Sequence, residues 1–200
     1  MTSGKAALIL FSVAFLAVVV SMAVWMLCRY IAERSSMEER YTALILAASR
    51  RNEVDPDLIK AVIWRESGFD RTQIGGKGEV GLMQIMPDLA AADWARIKKR
   101  PLPSRASLSD PELNIEIGSW YLGRALRHWS KYQERITLAL CEYNAGRSRA
   151  NAWKPHQFNG SMEGRIRIES TRKYVTDILR KYAQYRQETE EARAAAAAAK

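Results

Sequence analysis

Cysteine and histidine are scarce in this chain of 200 residues, which contains two of each. Cys28 and Cys141 are too few for a framework of disulfides. His128 and His156 are isolated and have no ligand spacing of the zinc kind. The glycines at 75–78 lack the phosphate-binding loop pattern and do not follow a strand. The sequence therefore excludes a disulfide scaffold and predicts neither a metal nor a cofactor.

Acidic residues are fewer than basic ones, 22 against 31, so the formal net charge is +9. Such an excess of positive charge favours an anionic partner, and nucleic acid, anionic lipid and cell-wall polymer all qualify. The basic residues are scattered apart from the segment Arg96–Arg105, and no nucleic-acid motif accompanies them. We therefore expect no nucleic-acid partner.

Charged residues are absent from the 23 residues between Ala6 and Cys28. As a helix this run would reach about 34 Å, enough to cross a hydrocarbon core of about 30 Å. Residues 1–28 are thus predicted to be an N-terminal transmembrane anchor or an uncleaved signal. A cleaved signal peptide is the alternative, with Ser21-Met22-Ala23 as its small-residue site, but the apolar run continues to Leu27.

Helical periodicity dominates the remainder, and neither an internal repeat nor a run of alternating strands is present. Asp55-Pro56-Asp57 is typical of a helix start, and the apolar helix that follows runs to Glu66. Glycines between 75 and 81 predict a loop or tight hairpin. The predicted fold is mostly α, and the predicted segments are a linker over 29–39, one domain over 40–185, and a Glu- and Ala-rich tail over 186–200 forming a frayed helix.

Glu66 is the first candidate for chemistry, because it ends an apolar helix directly before a glycine-bearing loop. Burial in such a setting raises the pKa of a carboxyl group and keeps it protonated near neutrality. A protonated carboxylic acid is what glycosidic bond cleavage needs to protonate its leaving group. The alternative is a solvated glutamate in the last turn of a helix.

Residues 66–87 read ESGFDRTQIGGKGEVGLMQIMP, which contains a Glu-Ser pair, a Gly-Leu-Met-Gln block and a Met-Pro pair. In these blocks and their ungapped spacing, the segment resembles the lysozyme-like family of lytic transglycosylases (the SLT family) and goose-type lysozymes. Further blocks follow in order: DPxxNxxxGxxYL from Asp110, YNAG from Tyr143, and a late tyrosine segment at Thr171 to Val175. The resemblance covers about residues 40–182 and implies a lysozyme-like helical domain whose cleft is lined by the glycine-rich loop.

The resemblance also implies roles for the matched positions. Glu66 would be the catalytic acid and then base in cleavage of the β-1,4 bond between N-acetylmuramic acid and N-acetylglucosamine. The substrate's N-acetyl group would stabilise the cation, and its C6 hydroxyl would attack to leave 1,6-anhydro-muramyl ends. The implied substrate-binding residues are Ser67, Met83, Gln84, Tyr143, Asn144 and Tyr174.

Two alternatives stay open at this point. A muramidase would use water as the acceptor and a second carboxylate, for which Asp70, Glu79, Glu142 and Glu169 are available. A non-catalytic domain would only bind peptidoglycan as part of a secretion or envelope machine. One departure bears on substrate contacts, because Gly75 stands where the family often has serine.

The implied substrate places the domain on the periplasmic or cell-wall side of a bacterial cytoplasmic membrane, held by a single span. The partners expected are peptidoglycan strands, the membrane and envelope or secretion machinery. Arg29, Arg34 and Arg40 follow the apolar run whereas Lys5 precedes it, and the positive-inside rule favours the opposite orientation. We give precedence to the implied substrate.

Overall fold

The computed structural model describes the backbone of residues 3–199 and the side chains of residue 11, residues 15–30 and residues 36–199. The chain divides into two compact units, residues 1–40 and residues 41–200. Met1 and Thr2 of the predicted anchor and Lys200 of the predicted tail lie outside the described residues.

The first unit is the helix α1 (Ser3–Arg40). The segment 29–39, expected as a linker, is part of this helix. Within the part of the chain that the structure describes, no helix is both long enough and apolar enough to cross a membrane. The transmembrane anchor expected over residues 1–28 is therefore not confirmed.

The second unit is mostly helical, as predicted. A π-helical turn (Pro87–Ala91) leads into α4, and a 3-10 turn (Ser107–Ser109) precedes α5. The helices are α2 (Thr42–Asn52), α3 (Pro56–Glu66), α4 (Ala92–Lys98), α5 (Pro111–His128), α6 (Arg135–Ala145), α7 (Arg147–Trp153) and α8 (Glu169–Ala198).

The start of α3 is confirmed at Asp55, whose side chain accepts a hydrogen bond of 2.9 Å from the Asp57 amide. Capping of this kind satisfies one of the free amides of the first helical turn, and Pro56 lacks an amide that would need a partner. Asp110 caps α5 in the same way through the Leu113 amide, at 2.9 Å. Both helix starts are therefore determined locally.

The helix α3 lies at the centre of the core and packs against α8. Its apolar side chains are completely or almost completely buried: Leu58, Ile59, Ala61, Val62 and Ile63. From α8, Val175 and Ile178 belong to the same core cluster. This packing fixes the end of α3, and therefore Glu66, relative to α8.

The helix α8 continues unbroken to Ala198, so the Glu- and Ala-rich tail expected over residues 186–200 is helical as far as that residue. Tyr185 is buried, and Thr189 donates a hydrogen bond of 3.1 Å to Asp57 at the start of α3. On the exposed side of the helix, side chains four residues apart interact with each other, as Arg186 does with Glu190 at 2.9 Å. Such pairs and the alanine run both stabilise helix, which explains its length.

Between α3 and the π-helical turn, the chain forms the glycine-rich loop that the sequence predicts. Two isolated antiparallel bridges shape it, Ile74 with Val80 and Val80 with Ile85. Gly78 and Gly81 have φ values of +90° and +78°, which side chains rarely adopt, so the two turns depend on glycine.

Candidate active site

Glu66 is the last residue of α3, and its side chain meets α8. The Tyr174 hydroxyl donates a hydrogen bond of 2.7 Å to Oε1 of Glu66. Tyr174 is buried, with 3% of its surface exposed, and Glu66 is partly buried. The structure therefore brings together two of the predicted site residues from distant parts of the chain.

Burial raises the pKa of Glu66 to about 7 from the usual value near 4.5. The hydrogen bond from Tyr174 and the positive charge of Arg65 both oppose that rise, and the negative charge of Glu79 adds to it. A carboxyl group with this pKa can hold a proton near neutrality and still release it. Tyr174 occupies Oε1, so Oε2 can carry the proton that is transferred.

Asn114 holds the glycine-rich loop in place from α5, where its side chain is buried. Its Oδ1 accepts a bond of 2.8 Å from the Met83 amide, and its Nδ2 donates to the carbonyls of Val80 (2.8 Å) and Leu108 (2.7 Å). All three of these buried backbone groups are thereby paired. Asn114 is the asparagine of the block that begins at Asp110, and the sequence pattern alone predicts no role for it.

Ser67 and Gln84 tie the loop to the rest of the domain. The Ser67 hydroxyl donates to the Leu82 carbonyl at 2.8 Å. The Gln84 side-chain amide donates to the carbonyls of Gly81 (2.8 Å) and Gln73 (3.1 Å), while its own backbone has a φ of +46°. A non-glycine residue with positive φ is strained, and these hydrogen bonds help to hold it in that conformation.

Met83 was expected to line the saccharide cleft, and its side chain does not. It is completely buried against Gly118, which has no Cβ to overlap it. Only its backbone takes part in the site, because the Tyr143 hydroxyl donates to the Met83 carbonyl at 2.9 Å. The negative charge of Glu66 contributes to raising the pKa of Tyr143, although burial is the larger cause.

A groove of about 260 Å³ lies between the glycine-rich loop and the end of α6. Among the described residues its lining includes the predicted Gln84, Tyr143 and Asn144, and it does not include Glu66, Ser67, Met83 or Tyr174. Two of the carboxylates considered for a muramidase, Glu79 and Glu142, also line it. Further residues complete the lining: Lys77, Ile85, Met86, Leu89, Ala90, Tyr121, Ala145 and Gly146.

Asn144 is exposed at the end of α6, and its Oδ1 accepts a hydrogen bond of 2.9 Å from the Thr171 hydroxyl. That contact leaves the Asn144 amide nitrogen to donate to a ligand in the groove. Tyr121 and Tyr143 meet edge to face, with ring centroids 5.7 Å apart. Aromatic faces beside amides suit a sugar ring, which has both apolar and hydroxyl-bearing surfaces.

Glu142 precedes Tyr143, and its carboxylate accepts hydrogen bonds from two residues that the sequence pattern does not predict as partners. Its Oε1 accepts two bonds from Arg147, of 2.7 and 3.0 Å, and its Oε2 accepts one of 2.9 Å from the Trp129 indole. Its side chain is only 1% exposed. The spacing of Glu142 and Arg147 suggested no pair, since Gly146 breaks the helix between them.

The sequence profile of the family described as "Transglycosylase SLT domain" matches residues 43–164. Membrane-bound lytic murein transglycosylase C of Mannheimia succiniciproducens is 38% identical over 84 residues, 42% of this chain and 24% of that protein. The protein of that name from Klebsiella pneumoniae is also 38% identical over 84 residues, 42% of this chain and 23% of its own length. The match thus spans about a quarter of these relatives.

Solved structures show the same similarity. An inactive variant of lytic transglycosylase Slt from Pseudomonas aeruginosa has a TM-score of 0.66 at 27% identity, covering 74% of this chain and 24% of that one. The 70 kDa soluble lytic transglycosylase of Escherichia coli has a TM-score of 0.63 at 28% identity, covering 76% and 26%. A soluble lytic transglycosylase of 70 kDa has also been solved in complex with bulgecin A. With a family profile that matches more than half of its residues and this fold, the chain belongs to the transglycosylase SLT domain family.

Proposed function

We propose that this chain is a peptidoglycan lytic transglycosylase that cleaves the β-1,4 bond between N-acetylmuramic acid and N-acetylglucosamine. The observation that carries the proposal is Glu66, a partly buried carboxyl group whose pKa is raised to about 7 and which Tyr174 holds in place. Membership of the family and the names of its relatives support the choice of substrate.

In the proposed reaction, protonated Glu66 donates its proton to the glycosidic oxygen as the bond from that oxygen to C1 of the muramyl residue breaks. The carboxylate that results accepts the proton of the C6 hydroxyl, whose oxygen forms a new bond to C1. Glu66 is then protonated again, and the product carries a 1,6-anhydro end. One group can serve both steps because its pKa lies near the pH of the reaction.

The groove positions the sugar for this step. Gln84, Tyr143 and Asn144 line it, and Tyr143 lies near enough to Glu66 to respond to its charge. The fixed Met83 carbonyl and the bond from Tyr143 keep this wall of the groove rigid. Preorganised polar groups of this kind lower the barrier because they need no rearrangement during the reaction.

The direct test uses the full chain, purified in detergent, on isolated peptidoglycan sacculi. The unaltered chain is expected to release soluble muropeptides, and Glu66→Gln to release none while keeping its fold. Mass spectrometry identifies the acceptor, because an anhydro product is one water lighter than a hydrolysed one. Binding to sacculi without release by either protein would contradict the enzyme and favour a binding domain.

Bulgecin A offers a test of the site that does not depend on turnover. It is bound to a soluble lytic transglycosylase that is similar to this chain. We expect it to bind the full chain and to protect it from thermal unfolding. Absence of binding would show that the groove differs from that of the relative.

We also propose that the domain acts on the outer face of a bacterial cytoplasmic membrane, with the apolar run of residues 6–28 as a single-pass anchor. That run, its exposed apolar side chains such as Phe11 and Trp25, and the relatives named as membrane-bound support this location. An alkaline phosphatase fused to the carboxyl terminus is expected to be active. An inactive phosphatase together with a fluorescent cytoplasmic fusion would contradict the proposal.

A further inference from the structure

Gly75 has no side chain, and the structure shows which groups occupy the space that a side chain there would take. A Cβ added at Gly75 would overlap the Glu79 carboxylate and would lie 2.7 Å from Oε1 of Gln84. The Gly75 amide also donates to the backbone carbonyl of Glu79 at 2.8 Å, which holds the two residues side by side. The absence of a side chain at 75 therefore lets the Glu79 carboxylate fill this place.

Both acceptors at this place are held in fixed orientations. Oε2 of Glu79 accepts a hydrogen bond of 2.9 Å from the Lys77 amide, and Glu79 is partly buried. The Gln84 amide nitrogen is engaged by the carbonyls of Gly81 and Gln73, so its oxygen is turned toward Gly75. Two acceptor oxygens thus converge on one spot of the loop.

The spot belongs to the groove. Glu79 and Gln84 line it on the loop side, and Tyr143 and Asn144 line it on the side of α6. The bond from Lys77 occupies Oε2 of Glu79, so Oε1 can accept from a ligand. An ionised carboxylate accepts hydrogen bonds and donates none, so its preferred partner is an N–H or O–H group.

We propose that Glu79 is a substrate-binding residue whose carboxylate accepts a hydrogen bond from an amide N–H or a hydroxyl of the saccharide in the groove. This inference rests on the proposed function, because it names a contact to the same substrate. The negative charge of Glu79 also contributes to the raised pKa of Glu66.

Binding is measured without cleavage in the full chain that carries Glu66→Gln. The probe is a tetramer of β-1,4-linked N-acetylglucosamine, and its affinity is measured by isothermal titration calorimetry. Adding Glu79→Gln is expected to weaken binding by about tenfold or more, as loss of a charge-assisted hydrogen bond does. Glu163→Gln, on an exposed glutamate outside the groove, is the matched control and should leave the affinity unchanged.

A rescue separates a substrate contact from a structural effect. Glu79→Ala removes the carboxylate beside position 75, and adding Gly75→Ser then supplies a hydroxyl there once the end of the flexible Gln84 side chain, 2.7 Å from the new Cβ, shifts aside. We expect the pair of changes to bind the tetramer more tightly than Glu79→Ala alone. Equal affinity of the Glu66→Gln chain with and without Glu79→Gln would overturn the inference. If Glu79→Gln does not fold, Glu79→Asp, which keeps the charge on a shorter chain, is expected to weaken binding in the same direction.

Kinetics on the chain with Glu66 intact distinguish the inference from the proposed function. Glu79→Gln is expected to raise KM more than it lowers kcat, and to move the loss of activity to lower pH, because a negative charge near Glu66 is removed. A fall in kcat alone would instead indicate a direct part in the chemistry and overturn the binding role. If the unaltered chain releases no muropeptides while its tetramer affinity depends on Glu79, the proposed enzyme fails and the binding residue stands.

Discussion

The hydroxyl of Tyr174 lies 2.7 Å from Oε1 of Glu66, and 108 residues separate the two along the chain. Packing of α3 against α8 brings them together. The pKa of Tyr174 is raised well above its usual value, chiefly by burial and next by the charge of Glu66, so the phenol keeps its proton. Tyr174 therefore acts as a constant donor that orients Glu66 and stabilises its ionised form.

Tyr174→Phe is expected to move the alkaline loss of activity to higher pH. The reaction needs protonated Glu66, whose pKa is about 7, so activity falls as the pH rises through that value. A donor to the carboxylate lowers its pKa, and removal of the donor raises it, by about 0.5–1 unit for one hydrogen bond. The measurement is kcat/KM on peptidoglycan from about pH 5 to about pH 9, which covers about two units on each side of the Glu66 pKa.

The maximal rate of Tyr174→Phe should also fall, since Glu66 loses its orienting partner. Tyr132→Phe, at an aromatic residue outside the groove, serves as the control. A profile whose alkaline limb is unchanged or lies at lower pH would contradict the role of Tyr174.

The sequence predicts the local features of this site well. The start of α3 depends on Asp55, Pro56 and Asp57, which are neighbours in the chain, so their pattern determines where the helix begins. The position of Glu66 at its end follows from the same helix. The sequence pattern at Met83 fits either the core or the cleft, because burial of its side chain depends on the absence of a Cβ at Gly118, a residue of α5 that is distant in the chain.

Glu66→Gln is expected to stabilise the domain above pH 7. The pKa of Glu66 is about 4.5 when the chain is unfolded and about 7 when it is folded, so the folded state binds its proton more tightly. A carboxyl group of this kind lowers stability as the pH rises from about 4.5 to about 7, by up to about 3 kcal/mol. Glutamine remains neutral and avoids that loss.

Denaturant unfolding of the unaltered chain and of Glu66→Gln measures the difference in their free energies of unfolding. The two conditions are about pH 4.5, near the pKa of Glu66 in the unfolded chain, and about pH 8, one unit above its pKa in the folded chain. The gain from Glu66→Gln should be present at the higher pH and absent at the lower. Glu163→Gln, on an exposed side chain, should show no gain in stability at either pH. A destabilising effect of Glu66→Gln at the higher pH would contradict burial as the cause of the raised pKa.

Asn114→Asp is expected to destabilise the domain by about 3–5 kcal/mol and to abolish activity. The acceptor for the Met83 amide remains, but the nitrogen that donates to both the Val80 and the Leu108 carbonyl becomes a single oxygen that faces these two carbonyls. The glycine-rich loop then loses its anchor to α5. Thermal unfolding and muropeptide release measure the two effects.

The matched control is Asn151→Asp, on an exposed asparagine of α7, which should change stability by less than about 0.5 kcal/mol. Normal stability of Asn114→Asp would show that the loop does not depend on this amide. The motif pattern marks Asn114 in the sequence, but its three partners lie on other segments of the chain and become visible only in the fold.

Glu142→Ala is expected to destabilise the domain by about 3 kcal/mol or more, whereas Glu142→Gln should cost less. Alanine removes the partner of Arg147 and leaves the buried indole of Trp129 without an acceptor. Glutamine keeps an oxygen for the indole, but it loses the charge and the acceptor for Arg147, toward which its NH2 group then turns. Because Arg147 is 43% exposed, its guanidinium can reach water after the ion pair is broken.

A double-mutant cycle measures the coupling between Glu142 and Arg147. It compares the free energies of unfolding, from chemical denaturation, of Glu142→Ala, Arg147→Ala and the chain that carries both changes, with Glu142→Gln measured beside them. Arg147→Ala should be severe by itself, since it leaves an unpaired carboxylate that is only 1% exposed. The double change should then cost less than the sum of the single ones, because no charge is left buried. If the two single changes in the free energy of unfolding add up to that of the double change, the ion pair does not contribute to stability. The Trp129 contact alone would then hold Glu142, and with it the groove wall at Tyr143.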